Sequence, residues 1–264
     1  MVPGLRAVTR RGVAGILVMT VLGLVAACGE DSARTGTAAD GIPSSTGSPP
    51  VPSATTVSGQ PLPSESRSPA ELLQLARAAF LTAPSVHVTG TAVRGADAYV
   101  VDARLAGASG GTATVKTSGE TVQVVRVGDV AYVGGDLAFW QSVTGDAARA
   151  RALVGSSVRT GADEPNFASY VAFTRPETYA AVLPDPGQPA TLGATTLIRG
   201  MPAIAVRDQA GSTLYVARTG PAYPLRLDGL TNGQVVFLDL ADYGAPVTLR
   251  TPPPARVREP GGGS

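Results

Sequence analysis

The feature that most constrains this chain is a change of hydrophobic period at Pro84. After it, apolar residues fall at every second position. Val86, Val88 and Ala92 alternate with Ser85, His87, Thr89 and Thr91; Tyr99, Val101, Ala103 and Leu105 alternate with Asp102 and Arg104. Ala113 and Val115 alternate with Thr112, Thr114 and Lys116, and Val122, Val124, Val125 and Val127 follow, then the run from Val130 to Val133. Glycines break the runs at Gly95, Gly107, Gly110-Gly111, Gly119, Gly128 and Gly134-Gly135. A period of two marks half-buried strands, and short strands between glycine turns predict an antiparallel meander. Before Pro84 the period is helical: Leu72, Leu75, Ala76, Ala79 and Phe80 share a face. Ser68-Pro69-Ala70-Glu71 is a capping box with proline at the first helical position, so a helix is expected over 69–82. Helical patterns recur at 146–154, 166–173 and 176–183, and strand patterns at 190–199, 203–208, 213–218, 223–227 and 235–240. Strands, a helical interlude and strands again predict an α+β fold, one large antiparallel sheet with helices on one face.

The ends of the chain read differently. Arg6, Arg10 and Arg11 precede an apolar stretch from Val13 to Val25, then Leu24-Val25-Ala26-Ala27-Cys28, which contains the only cysteine among 264 residues. This is the charged, apolar and small-residue order of a secretory signal. Leucine four positions before the cysteine, with small residues just before it, resembles the lipobox of bacterial lipoproteins. That resemblance implies a signal over 1–27 and, on Cys28, diacylglycerol with acyl chains such as palmitate. Two acyl chains, at roughly 0.8 kcal/mol per buried methylene, anchor a protein to a membrane. The expected location is therefore the extracytoplasmic face of the cell membrane, with Sec and twin-arginine export both open. Residues 28–67 hold the lipidated cysteine and a Ser/Thr/Pro/Gly-rich linker with too little apolar surface to fold. The domain is expected over 68–250, with a Pro- and Gly-rich disordered tail over 251–264.

Charge and residue inventory exclude whole classes of function. Five of the 21 Lys and Arg residues and four of the 20 Asp and Glu residues precede Ser68, which leaves 16 of each sign in the domain and tail. A nucleic-acid partner would call for a basic excess. His87 is the only histidine and lies on the polar face of its strand, no Gly-x-Ser-x-Gly elbow precedes a helix, and no phosphate-binding glycine loop precedes Lys116. One histidine and one cysteine exclude the common zinc sites. The expectation is a protein without catalytic residues, metal or cofactor. Arg126, Arg218 and Arg226 stand in otherwise apolar strands and are expected to face solvent.

Two stretches carry a family resemblance: the run from Val124 to Asp136 followed by Phe139-Trp140, and the run from Gly211 to Gly229. With the lipobox, linker and opening helix they resemble the LppX/LprG-type actinobacterial lipoproteins, which share the half-barrel of the LolA and LolB carriers. The resemblance implies a curved sheet, helices on its concave face, and an apolar cavity that holds acyl chains. On that basis Val101, Ala103, Leu105, Val125, Val127 and Trp140 are candidates to line the cavity. The partners implied are an acylated lipid or lipoglycan, the membrane through Cys28, and an envelope transporter or acceptor protein. The alternative is a non-transporting adaptor that uses the same fold to bind a protein.

Overall fold

The structure is a computed structural model that describes residues 67–94, 97–231 and 233–259. The expected signal, Cys28 and nearly all of the linker lie outside the described residues. The chain opens with helix α1 (Pro69–Thr82), capped as expected: the Ser68 hydroxyl accepts from the Glu71 N–H at 3.3 Å, and the Glu71 carboxylate accepts from the Ser68 N–H at 2.8 Å. Strands β1 (Val86–Arg94), β2 (Asp97–Leu105), β3 (Gly110–Lys116), β4 (Thr121–Val127) and β5 (Val130–Gly135) follow. Next come helices α2 (Leu137–Thr144) and α3 (Ala147–Leu153), strand β6 (Ser157–Gly161), and helices α4 (Ala168–Val171) and α5 (Pro176–Ala180). Strands β7 (Ala190–Ile198), β8 (Met201–Asp208), β9 (Thr213–Ala217), β10 (Pro224–Thr231), β11 (Gln234–Ala241) and β12 (Val257–Arg258) complete the chain.

All strands form one sheet in the order β12-β6-β5-β4-β3-β2-β1-β11-β10-β9-β8-β7. Two antiparallel meanders, β1 to β6 and β7 to β11, are joined by the antiparallel pairing of β1 with β11. The sheet is open, because its end strands β12 and β7 do not pair with each other. Leu72, Leu73, Ala76 and Phe80 of α1 share one core with buried side chains from β3, β2, β1, β11, β10, β9 and β8 and with Tyr179 and Ala180 of α5. Helices α1 and α5 thus share a core with side chains from seven strands. The sequence reading of α+β, with helices on one face of a large antiparallel sheet, holds.

Three details depart from expectation. Helix α2 and strand β6 were not anticipated; glycine-poor 137–144 follows directly on a strand, and β6 is only five residues long. The residues after 250 do not all form a loose tail. Pro254–Arg256 make a 3-10 turn, and Val257 and Arg258 pair in parallel with Ser157 and Val158. Among the described residues this is the one parallel pairing in the sheet, and it covers an edge whose backbone groups would otherwise be unpaired.

Candidate functional site

The helix-covered face of the sheet carries two separate cores. The larger one, under α1 and α5, is aliphatic: Val101, Ala103 and Leu105 of β2 lie in it beside Val86, Val88, Ala113, Val115, Leu227 and Leu240. The smaller one, under α2, α3 and α4, is aromatic. Phe139 and Trp140 pack with centroids 4.8 Å apart, Tyr170 meets Phe139 edge-on at 5.2 Å, and Phe167 meets Trp140 at 6.5 Å. The structure thus brings Val101, Ala103 and Leu105 together and puts Trp140 in a different cluster.

Val125 and Val127 lie on neither core. In β4 the buried positions are Val122, Val124 and Arg126, which leaves Val125 and Val127 on the bare face, Val127 at 39% exposure. Adjacent residues of a strand point to opposite faces, so an error of one position exchanges the two sets. The run Val124-Val125-Arg126-Val127 offers apolar side chains to both faces, and an arginine on the inner one went unforeseen. Arg126 is buried, with Nε donating to Thr174 Oγ1 at 3.0 Å, Nη2 to the Thr174 carbonyl at 3.0 Å and Nη1 to the Gly128 carbonyl at 3.1 Å. Burial, reinforced by Arg175, lowers its affinity for the proton. The two bonds to Thr174 clasp the 3-10 turn Ala172–Thr174 to β4. Arg226, by contrast, lies on the bare face as expected. Its hydrogen bond to Asp239 at 2.7 Å raises its pKa.

The cavity nearest the aliphatic core opens where α1, the loop after α5, the β8–β9 turn and the end of β10 meet. It has a volume of about 430 Å³, and its walls include Arg77, Leu183, Asp185, Asp208, Leu230 and Thr231. Arg77 Nη2 donates to the Leu183 carbonyl at 3.1 Å, while its Nε is buried and meets no acceptor among the described residues. Leu183 belongs at once to the cavity wall and to the aliphatic core. The arrangement places one guanidinium and two carboxylates around an opening that backs onto hydrocarbon, and it can hold the polar end of an amphiphile. None of Val101, Ala103, Leu105, Val125, Val127 and Trp140 lines this cavity. Tyr179 seals the inner face nearby, its hydroxyl donating to the Phe173 carbonyl at 2.9 Å and its pKa pushed up by burial.

A second cavity, about 370 Å³, lies against the bare face between Thr91, Arg226, Asp228 and Phe237. Burial raises the Asp228 carboxyl above the ordinary range, against the pull of Arg226. Away from it, His87 Nε2 lies 2.9 Å from Asp102 and Nδ1 lies 3.4 Å from Asp242. Among the described residues no cluster of His, Cys, Asp and Glu could hold a metal ion, and no helix is long and apolar enough to cross a membrane.

No family model and no curated protein matches the chain. Among solved structures it is similar in fold to LprF from Mycobacterium bovis, at 16% identity over 72% of this chain and 98% of that one, with a TM-score of 0.44. It is also similar to the Mycobacterium tuberculosis lipoprotein LppX, at 14% identity over 69% and 98% of the two chains, with a TM-score of 0.41. A third similar structure is the Pseudomonas aeruginosa MucA/MucB complex, at 15% identity over 70% of this chain and 61% of that one, with a TM-score of 0.34.

Proposed function

We infer that this chain is a lipid-anchored envelope protein whose domain binds an acylated amphiphile at the helix-covered face of its sheet. The polar end sits at the mouth beside Arg77, and the hydrocarbon runs toward the aliphatic core. The observation that carries this reading is the double membership of Leu183, which is both rim of a 430 Å³ cavity and part of the core behind it. Ligand pockets of this size combine apolar walls with a few polar groups that orient the ligand. The anchor follows from the lipobox at Cys28, and the acylated lipid or lipoglycan from the resemblance of the two hairpins. The tether lets the loaded domain reach an acceptor or transporter in the envelope. Native mass spectrometry of the intact chain after gentle detergent extraction tests the reading. A lipid adduct beyond the anchor is expected; the anchored mass alone, with no uptake of an apolar dye, would overturn it.

One observation favours the adaptor reading instead. The inner face is closely packed, and Val101, Ala103 and Leu105 touch neither cavity. Acyl chains therefore have to displace helix side chains to enter, whereas a protein partner on the outer surface would not require it. The same mass measurement separates the two.

A further inference from the structure

Away from a small buried cluster of Ile198, Ala203, Ala217 and Leu225, the bare face of the sheet is graded along its strands. Residues directly opposite one another in neighbouring strands share a face, so the register defines rows across β2, β1, β11 and β10. Nearest the tips of the β1–β2 and β10–β11 hairpins, the row is Ala98, Val93, Val235 and Leu230, all apolar and exposed. The next row is Val100, Thr91, Phe237 and Asp228, continued on β3 by exposed Lys116; Phe237 is 49% exposed. The third row is Asp102, Thr89, Asp239 and Arg226, three of four charged, and the fourth contains His87 and Arg104. Polarity thus rises row by row away from the tips. A boundary that crosses four strands at one level matches the profile of a water–lipid interface.

The tether leaves the domain at that same end. Arg77 of α1 lines a cavity with Leu230 and Thr231, at the tip end of β10. From there α1 runs on to Thr82 and, through Ala83–Ser85, into Val86, the end of β1 opposite the tips. Traced backward, the helix carries Ser68 toward the tip side, about 14 Å before Arg77 at 1.5 Å per residue. Thirty-nine residues of sequence lie between Cys28 and Ser68.

We propose that Val93, Val100, Leu230, Val235 and Phe237 form a membrane-docking face that lays the hairpin tips on the bilayer and turns the mouth beside Arg77 toward it. The proposal rests on the anchored reading above, because the tether supplies the high local concentration that lets a small face bind. Lys116, one row back, places its ammonium at the level of lipid phosphates while its stem lies along apolar surface. The occupant is the surface of the bilayer that holds the anchor.

The test uses the lipidated chain in vesicles of phosphatidylethanolamine and phosphatidylglycerol. A lipidated Cys28 has no free thiol, so Val93→Cys, Val235→Cys and, as a control on the bare face of β4, Gln123→Cys each take a single environment-sensitive fluorophore. The labels at 93 and 235 should sit about 5–10 Å below the headgroup boundary, with blue-shifted emission quenched by nitroxide lipids. The label at 123 should stay in water, and Phe237→Asp should abolish the quenching at 235. Iodide quenching at 93 and 235 equal to that at 123 would overturn the proposal. Labels that are wet in vesicles but shielded in native membranes would also overturn it, in favour of a protein partner. A wild-type chain that takes up the fluorophore has a free Cys28, which refutes the anchor reading separately; docking is then judged from the same labels with vesicles in excess.

Discussion

The two cores on the inner face obey the same packing rules with different materials. Under α2 to α4 the core is built around Phe139, Trp140, Phe167 and Tyr170, which interlock through two edge-on ring contacts and one tilted one. Under α1 and α5 it is built from leucines, valines and alanines around Phe80 and Tyr179, and it reaches a cavity at Leu183. Interlocked rings fix one arrangement and gain about 0.5–1.5 kcal/mol per pair beyond their burial. Aliphatic side chains of similar size can repack at a cost usually under about 1.5 kcal/mol. The aromatic core is the frame. On the proposed function, the aliphatic core is where a hydrocarbon chain replaces a helix side chain.

The sharpest way to break this contrast is to remove a ring. Trp140→Ala should destabilise the domain by about 3–5 kcal/mol, read as a fall in the denaturation midpoint, while any bound lipid per folded molecule stays unchanged. If lipid binding falls in proportion with no loss of stability, the two cores are not separate. Arg126→Met comes next. It deletes the two bonds that hold Thr174 to β4, together with the one to the Gly128 carbonyl, and strands the Thr174 carbonyl, a cost of about 1–3 kcal/mol. Faster hydrogen exchange in 168–180 should accompany it, and unchanged protection there would show that the clasp holds nothing.

Ala103→Leu acts on the other core. Overpacking should cost about 1–3 kcal/mol and reduce lipid uptake, and unaltered uptake would place the hydrocarbon elsewhere. The smallest expected effect is in acid. Hydrogen bonds from Ser68 lower the Glu71 pKa, and backbone N–H groups of Arg149 and Ala148 lower that of Asp146. The folded state thus prefers both carboxylates ionised, so their contribution is present above the ordinary carboxylate range and is lost as pH falls through the depressed values. Asp228, raised by burial, works in the opposite sense, so Asp228→Asn should slightly stabilise the domain near neutral pH. Melting temperature against pH for Asp146→Ala should fall less steeply in acid than for the wild type.

How much of this was legible follows from which signals are local. Helix α1 could be read to the residue because Ser68, Pro69 and Glu71 make its cap and Pro84 follows its end. The strands were readable from alternation, and the inner placement of Val101, Ala103 and Leu105 followed because Asp102 and Arg104 fix the opposite face. In β4 the alternation fails, since Val125 and Val127 are as apolar as Val122 and Val124, and only the distant carbonyl of Thr174 decides that Arg126 turns inward. Strand β12 was not legible, because a Pro-rich run becomes a strand only where β6 offers an unpaired edge. The rim beside Arg77 assembles from four segments far apart in sequence, and no local pattern marks it. The graded rows on the bare face needed the register of β1 with β11, a pairing between the two meanders.

The most direct measurement is methyl NMR of the domain as an amphiphile carrying a nitroxide on its acyl chain is titrated in. The account predicts that methyl signals of Leu73, Val101, Leu105, Leu183 and Leu227 broaden, while those of Val122, Val124, Val133 and Val158 in the aromatic core stay sharp. Broadening confined to the aromatic core, or no broadening inside the protein at all, would contradict it.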